Sequence, residues 1–377
     1  MKFSKLSLAV ALAVASVAAQ AEVVLYGTVD VGMSYNNVTV PGASNSNFAM
    51  TSGQSAPTQF GIRGSEDLGN GNAVVFNVAS RFNSSTGQTE DESFFSQQST
   101  LGVRNAKWGQ VDLGRKYNVT TQYMMSLDPF TTYYGQAGAG QSFSGANQVR
   151  YSNMVQYQTA AYKGFSAGLG YSFNTGLVGA YANNGVVTDG SQNFGTTNNA
   201  RAVTLGARYD SGPVTVLATY DQVMPAGNIP GATPSSPKSW LVGGSYDFKV
   251  VKASLAYGQT RGGWITGVAP LSGTGVNSSW TNGGTLFSNG YGANSYLVGL
   301  SAPVGSASSV FGSVQIAQPT GSANVVGSTT QSVYSLGYNY NLSKRTAVYA
   351  FASYADGYAM VSDAKSTQVG VGLRHSF

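Results

Sequence analysis

The chain has no cysteine and a single histidine, and only 9% of its 377 residues are charged. Without thiols there are no disulfides and no thiol chemistry, and one imidazole leaves no metal cluster short of carboxylates alone. Nucleophilic catalysis wants a base beside its nucleophile. The only imidazole is His375, whose place in the local alternation turns it toward lipid or a subunit interface. The charge content is far below the roughly 25% usual in soluble globular domains. Long apolar runs are also missing. Beyond the first 21 residues, nothing approaches the ~20 apolar residues of a membrane-spanning helix.

Residues 1–21 read as a secretory leader. Lys2 and Lys5 precede an apolar run from Leu6 to Ala19, and Ala19-Gln20-Ala21 fits small-x-small cleavage. The run is too short to serve comfortably as a membrane anchor. The mature chain then starts at Glu22, and 22–377 form one domain. Without Lys2 and Lys5 the formal net charge falls from +5 to +3, a bias too weak to imply a nucleic-acid partner.

What the chain does have is glycine (49), tyrosine (23), phenylalanine (17) and many small polar residues. The mean hydropathy is near zero. This balance suits a barrel with one apolar face, one polar face and aromatic girdles. If the chain spans a membrane, only a closed barrel remains, because lipid offers no partners to an open sheet edge. Period-two alternation begins at once: Val23, Leu25, Gly27, Val29 and Val31 interleave with Val24, Tyr26, Thr28, Asp30 and Gly32. Strands are expected near 23–35, 58–67, 73–83, 93–104, 110–117, 149–162, 165–173, 200–210, 213–223, 239–248, 250–260, 294–303, 309–317, 331–341, 345–355 and 366–377. Sixteen is an even number, as an up-and-down barrel requires. Tight turns such as Asp67–Asn72 and Asn341–Lys344 alternate with long Gly/Ser/Asn/Thr stretches at 36–56, 174–199, 224–237, 261–293 and 317–330. A sandwich or solenoid is the soluble alternative, and no short repeat supports the solenoid. In the last strand Val369, Val371, Leu373, His375 and Phe377 share one face. Phe377 ends the strand that closes the barrel against the first.

These segments resemble the trimeric general porins of Gram-negative bacteria, in particular their betaproteobacterial branch. The resemblance rests on Val24-Leu25-Tyr26-Gly27-Thr28-Val29-Asp30, Phe60-Gly61-Ile62-Arg63-Gly64-Ser65-Glu66-Asp67-Leu68-Gly69, Val111-Asp112-Leu113-Gly114-Arg115, Asn341-Leu342-Ser343-Lys344-Arg345-Thr346-Ala347 and Gly372-Leu373-Arg374-His375-Ser376-Phe377. It implies a transmembrane antiparallel up-and-down β-barrel of sixteen strands. It also implies a homotrimer in the outer membrane, among its lipid and lipopolysaccharide, passing small hydrophilic solutes and ions without a cofactor. The third extracellular loop, 117–148, would fold into the pore.

A diffusion pore needs a constriction and a transverse field rather than a reaction. The resemblance places basic wall residues against acids on the third loop. Here three of the four basic positions carry Thr28, Gln59 and Gln97, and only Arg150 keeps its charge. The loop shows Asp128-Pro129-Phe130 in place of Pro-Glu-Phe, so Asp128 either faces the constriction or caps the loop before Pro129. Arg63 shares the parity of Gln59 and Gly61 opposite Phe60 and Ile62, which turns it to the lumen, and Arg81 belongs there because a lipid-facing charge in mid-strand costs roughly 2–4 kcal/mol. Arg115 either lines the pore or anchors the loop, and Arg104 reads as interfacial. Tyr26, Phe76, Tyr162, Phe165, Tyr171, Phe173, Tyr246, Phe248 and Tyr257 fit interfacial girdles, with a sugar-stacking path as the alternative. The expected outcome is a weakly anion-selective channel. A substrate-specific channel, or a barrel whose loops act as an adhesin or phage receptor, is the competing reading.

Overall fold

The computed structural model describes residues 22–90, 93–176, 194, 199–226, 236–265, 292–320 and 329–377. The expected leader and most of the long stretches beginning at 174, 224, 261 and 317 lie outside them. Among the described residues, seventeen strands form one antiparallel sheet. They are β1 Glu22–Val40, β2 Ala43–Ser52, β3 Gln59–Gly69, β4 Asn72–Arg81, β5 Gln98–Asn105, β6 Gly109–Tyr117, β7 Arg150–Thr159, β8 Phe165–Ser172 and β9 Arg201–Ser211. Then come β10 Val214–Met224, β11 Lys238–Asp247, β12 Lys252–Arg261, β13 Gly292–Val304, β14 Ser308–Thr320, β15 Gln331–Asn341, β16 Thr346–Asp356 and β17 Lys365–Ser376.

The barrel nevertheless has sixteen staves. Strands β2 and β3 share one edge of β1: β2 pairs with Val31–Val40, and β3 pairs with Glu22–Thr28. Together they make the second stave, interrupted at 53–58. The 36–56 stretch, expected as a loop, is thus mostly a hairpin. Its polar side chains bond across the strands, Ser34 to Thr51 at 2.6 Å and Thr39 to Ser44 at 3.1 Å. Only Phe48 and Met50, opposite Tyr35 and Met33 and exposed as they are, mark an apolar face in β2, too short an alternation for a strand to be recognised by it.

Strand β1 closes the cylinder against β17, from Thr28 opposite Ser376 to Thr39 opposite Lys365. Phe377 completes the seam: its backbone exchanges hydrogen bonds with Gly27 at 3.0 and 3.1 Å. A side chain at Gly27 would collide with the Phe377 ring and the Gln59 carbonyl, so glycine is required by this close approach. No strand edge stays open at the seam, as a lipid-spanning sheet demands.

Side-chain alternation sorts two faces. Leu25, Leu113, Val216, Leu255, Val298 and Leu336 stand exposed on one, as lipid-facing residues do in a chain described alone. The opposite face carries Asp30, Thr204, Asp221, Thr260, Ser295 and Gln315, all buried.

Candidate functional site: the lumen wall and the segment after β6

Asp30 is held by the Ser55 and Ala56 amides, and the other buried polar residues face the segment joining β6 to β7. It opens with α1, Val119–Met124, capped by Asn118, whose side-chain oxygen accepts from the Thr121 amide at 3.1 Å. Asp221 on β10 grips this start: Asn118 Nδ2 donates to it at 2.8 Å, and the Thr120 hydroxyl donates as well. The Val119 amide donates to Thr204 Oγ1 of β9 at 2.8 Å. Wall glycines let the segment approach closely: Val119 and Tyr123 lie over Gly206, and Pro129 lies over Gly299.

Further on, Phe130 and Tyr134 pack edge-on against Phe311 of β14, and Tyr134 against Tyr349 and Phe351 of β16. Hydrogen bonds then run from stave to stave. Ser144 meets Thr260 of β12 at 2.8 Å, and Gln315 Nε2 of β14 donates to the Ala137 carbonyl at 2.6 Å. Gln331 of β15 donates to the Gln141 carbonyl at 3.0 Å, and Gln368 Oε1 of β17 accepts from the Gln136 amide at 3.0 Å.

Asp128 is the only ionisable acid between Tyr117 and Arg150. Its carboxylate accepts the amides of Phe130 (3.0 Å), Thr132 (2.8 Å) and Ala139 (2.8 Å), and is 3% exposed. It is turned into the loop it organises. Burial pushes its pKa up to about 6, against the opposite pull of the three amides. Around it Thr131, Thr132 and Tyr134 adopt positive φ, an uncommon conformation for side-chain-bearing residues. The amide bonds and aromatic packing hold them there.

Across from this segment, the basic residues of β3–β7 come together in part. Arg150 Nη1 donates to Gln97 Oε1 at 2.8 Å, and its guanidinium lies 5.8 Å from the Tyr117 ring centre. Tyr117 and Tyr133 share a hydroxyl hydrogen bond of 2.9 Å. Burial pushes the Tyr133 phenol well up, and Tyr117 adds to that, while Arg81 and Arg150 pull it back; both cations are therefore near it. Arg81 is the register neighbour of Gln59 and is salt-bridged to Glu90 at 2.9 Å. Gln59 in turn pairs with Thr28, whose hydroxyl meets Ser376 at 3.2 Å.

Other expected site residues sit elsewhere. Arg63 lies four residues from Gln59, roughly 13 Å along β3, with its guanidinium 5.1 Å from the centre of the Tyr26 ring. Tyr26 also donates to Asn77 at 2.6 Å, so it belongs to the lumen wall and not to a girdle. Its parity with Thr28 and Asp30 was the available signal. Arg63 and Arg104 share a cavity of about 380 Å³ with Glu22, Asn77, Thr100 and Asp112. Arg104, expected at the interface, therefore faces the lumen, because it follows the alternation of Thr100 and Gly102. Arg115 donates to the Ser96 carbonyl (2.8 Å) and Ser152 Oγ (2.9 Å), which ties the root of the segment down. Two charged residues were not singled out from sequence. Lys116 pairs with Asp112 at 2.6 Å, and Glu90 reaches Arg81 from outside any strand.

A model of the Gram-negative porin family matches residues 7–376. An outer membrane porin of Bordetella pertussis is 45% identical over 380 residues, covering 96% of both chains. Outer membrane porin protein 32 of Delftia acidovorans is 29% identical over 401 residues and the full length of both. Among solved structures, an anion-selective porin from Comamonas acidovorans superposes with a TM-score of 0.72 at 25% identity, over 95% of this chain and 100% of that one. With this sixteen-stave antiparallel barrel, these matches show that the chain belongs to the Gram-negative porins of the outer membrane.

Proposed function

We propose that this porin is a passive diffusion pore for ions and small hydrophilic solutes, modestly anion-selective and narrowed by segment 118–149. The narrowing is supported by the hydrogen bonds and aromatic contacts of this segment to lumen-side residues of staves between β9 and β17. The observation that carries the selectivity is an imbalance of charge. The β3–β7 wall offers Arg63, Arg81, Arg104, Lys116 and Arg150 against Glu22, Asp67, Glu90 and Asp112. The segment facing that wall contributes only Asp128, spent on its own amides. An aqueous constriction lined by net positive charge concentrates anions. The related anion-selective porin agrees with this sign.

Assembly as a homotrimer, residues 1–21 as a cleaved leader, and the absence of catalysis complete the proposal. The test is a planar bilayer. Refolded protein gives steps of fixed conductance, and a salt gradient gives a reversal potential on the anion side. A channel that conducts only one sugar class, or a cation-side potential, would overturn this reading.

A further inference from the structure

The outward face of β10–β13 is built in layers toward the long-loop end. Val216, Val242, Leu255 and Val298 stand exposed in the aliphatic layer. Above them lie Tyr220, Trp240, Tyr257 and Tyr296. Ring centres are 5.5 Å apart for Trp240–Tyr257 and 5.1 Å for Tyr257–Tyr296. Tyr and Trp mark the headgroup level of a bilayer. Next comes a row of amides. Gln259 Nε2 donates to Tyr257 Oη at 2.8 Å and to Asn294 Oδ1 at 2.9 Å, and Gln222 accepts from Tyr220 at 2.8 Å. At the top Lys238 and Arg261 are direct register partners. Arg261 leans on Gln259, donating to Oε1 at 3.0 Å. Lys238 stands two residues beyond Trp240, roughly 7 Å further out.

Two like charges side by side repel, and among the described residues neither is ion-paired to an acid. The loops carried by these strands, 225–237 and 262–291, contain no Asp or Glu. Asp221, the acid nearest in sequence on β10, is wholly buried on the opposite face under α1. A cation pair above an aromatic belt, with a row of amides beneath, is complementary to a phosphate carried on an acylated sugar. The guanidinium can bind phosphate by two parallel hydrogen bonds. The acyl chains would lie against the aliphatic layer below.

We propose that Lys238 and Arg261, with Gln259 and Asn294, form a site for the phosphorylated glycolipid of the outer leaflet, lipopolysaccharide, on the lipid-facing side of β10–β13. The site is separate from the lumen, and the proposal rests only on the outer-membrane barrel, not on the pore's selectivity.

The test uses the purified porin in detergent, with bisphosphorylated lipid A and dephosphorylated lipid A as probes, and bound lipid counted by native mass spectrometry. Folding of each variant is checked by its heat-modifiable band, and the pore by single-channel conductance. The double variant Lys238→Gln/Arg261→Gln should bind bisphosphorylated lipid A roughly thirtyfold more weakly, each cation near an anionic headgroup contributing about fivefold. Dephosphorylated lipid A should bind wild type and variant alike. Lys365→Gln, which removes a cation from the same end of the barrel on another face, should bind as wild type does, and conductance should be unchanged in all. Undiminished binding by the double variant, or an equal loss in Lys365→Gln, would overturn the site.

Discussion

Staves β9–β17 and staves β3–β7 obey the same alternation and put it to opposite uses. On β9–β17 most lumen-side groups named above hold the segment after β6: Asp221, Thr204, Thr260, Gln315, Gln331 and Gln368 do so, and so do two cations, Arg208 and Lys252, which both donate to Ser126. On β3–β7 the lumen side carries guanidinium groups, with Arg63, Arg81, Arg104 and Arg150 toward the remaining space. On the reading proposed above, one wall holds the segment that narrows the pore and the other carries four arginines beside it. Selectivity should therefore respond to β3–β7 and to the acids facing it, and pore size to the grip of β9–β17.

The largest expected effect removes both walls at once. Deleting Phe377 takes away the backbone exchange with Gly27 that completes the β1–β17 seam. Folded, heat-modifiable protein in the membrane should be nearly abolished; normal surface levels of the truncated chain would contradict the closing role. Next, Asp221→Ala should loosen the β9–β17 grip. It removes the acceptor for Asn118 and Thr120, and hydrogen bonds to a charged group contribute about 1.5–3 kcal/mol each. A lower heat-dissociation temperature and noisier, larger conductance steps should follow, with the sign of selectivity unchanged.

Arg150→Gln should act the other way. It leaves conductance close to wild type while the anion preference falls. An unchanged reversal potential would show that Arg150 is not at the constriction. Smaller shifts of opposite sign are expected from Glu90→Gln, which leaves the Arg81 charge unopposed by that partner, and from Gln59→Arg or Gln97→Arg. Each should strengthen the anion preference in the same reversal-potential measurement.

The smallest effect is a pH dependence of the segment's docking. The folded pKa of Asp128 lies above its unfolded value, so ionisation opposes the folded state. The stability it contributes is fully present below about pH 4 and is lost as pH rises to about 6. Heat-dissociation temperature should fall across that window in wild type, and Asp128→Ala should flatten this part of the profile.

The staves were legible in the sequence because lipid on one side and water on the other impose a two-residue period. Where only two apolar residues mark the outward face, as Phe48 and Met50 do in β2, the period is too short to read and the strand is hidden. The site was legible only as far as parity reached. It put Arg63 on the face of Gln59 and Gly61, and applied to Tyr26 and Arg104 it would have moved both into the lumen. It could not find Glu90, which lies outside any strand and meets Arg81 only through tertiary folding. Nor could it choose between the two readings of Asp128, since three amides from residues 130, 132 and 139 converge only once the loop is folded.

The claim that the β3–β7 wall sets the sign of selectivity is tested most directly by comparing wild type with the double variant Arg81→Gln/Arg150→Gln. Reversal potentials would be taken under the same salt ratio at low and high mean concentration. The account predicts an anion-side potential for wild type that shrinks at high salt, where the screening length falls from about 10 Å at 0.1 M to about 3 Å at 1 M. It predicts a potential near zero for the double variant at both concentrations. A cation-side potential in wild type, or equal potentials in the two proteins, would contradict it.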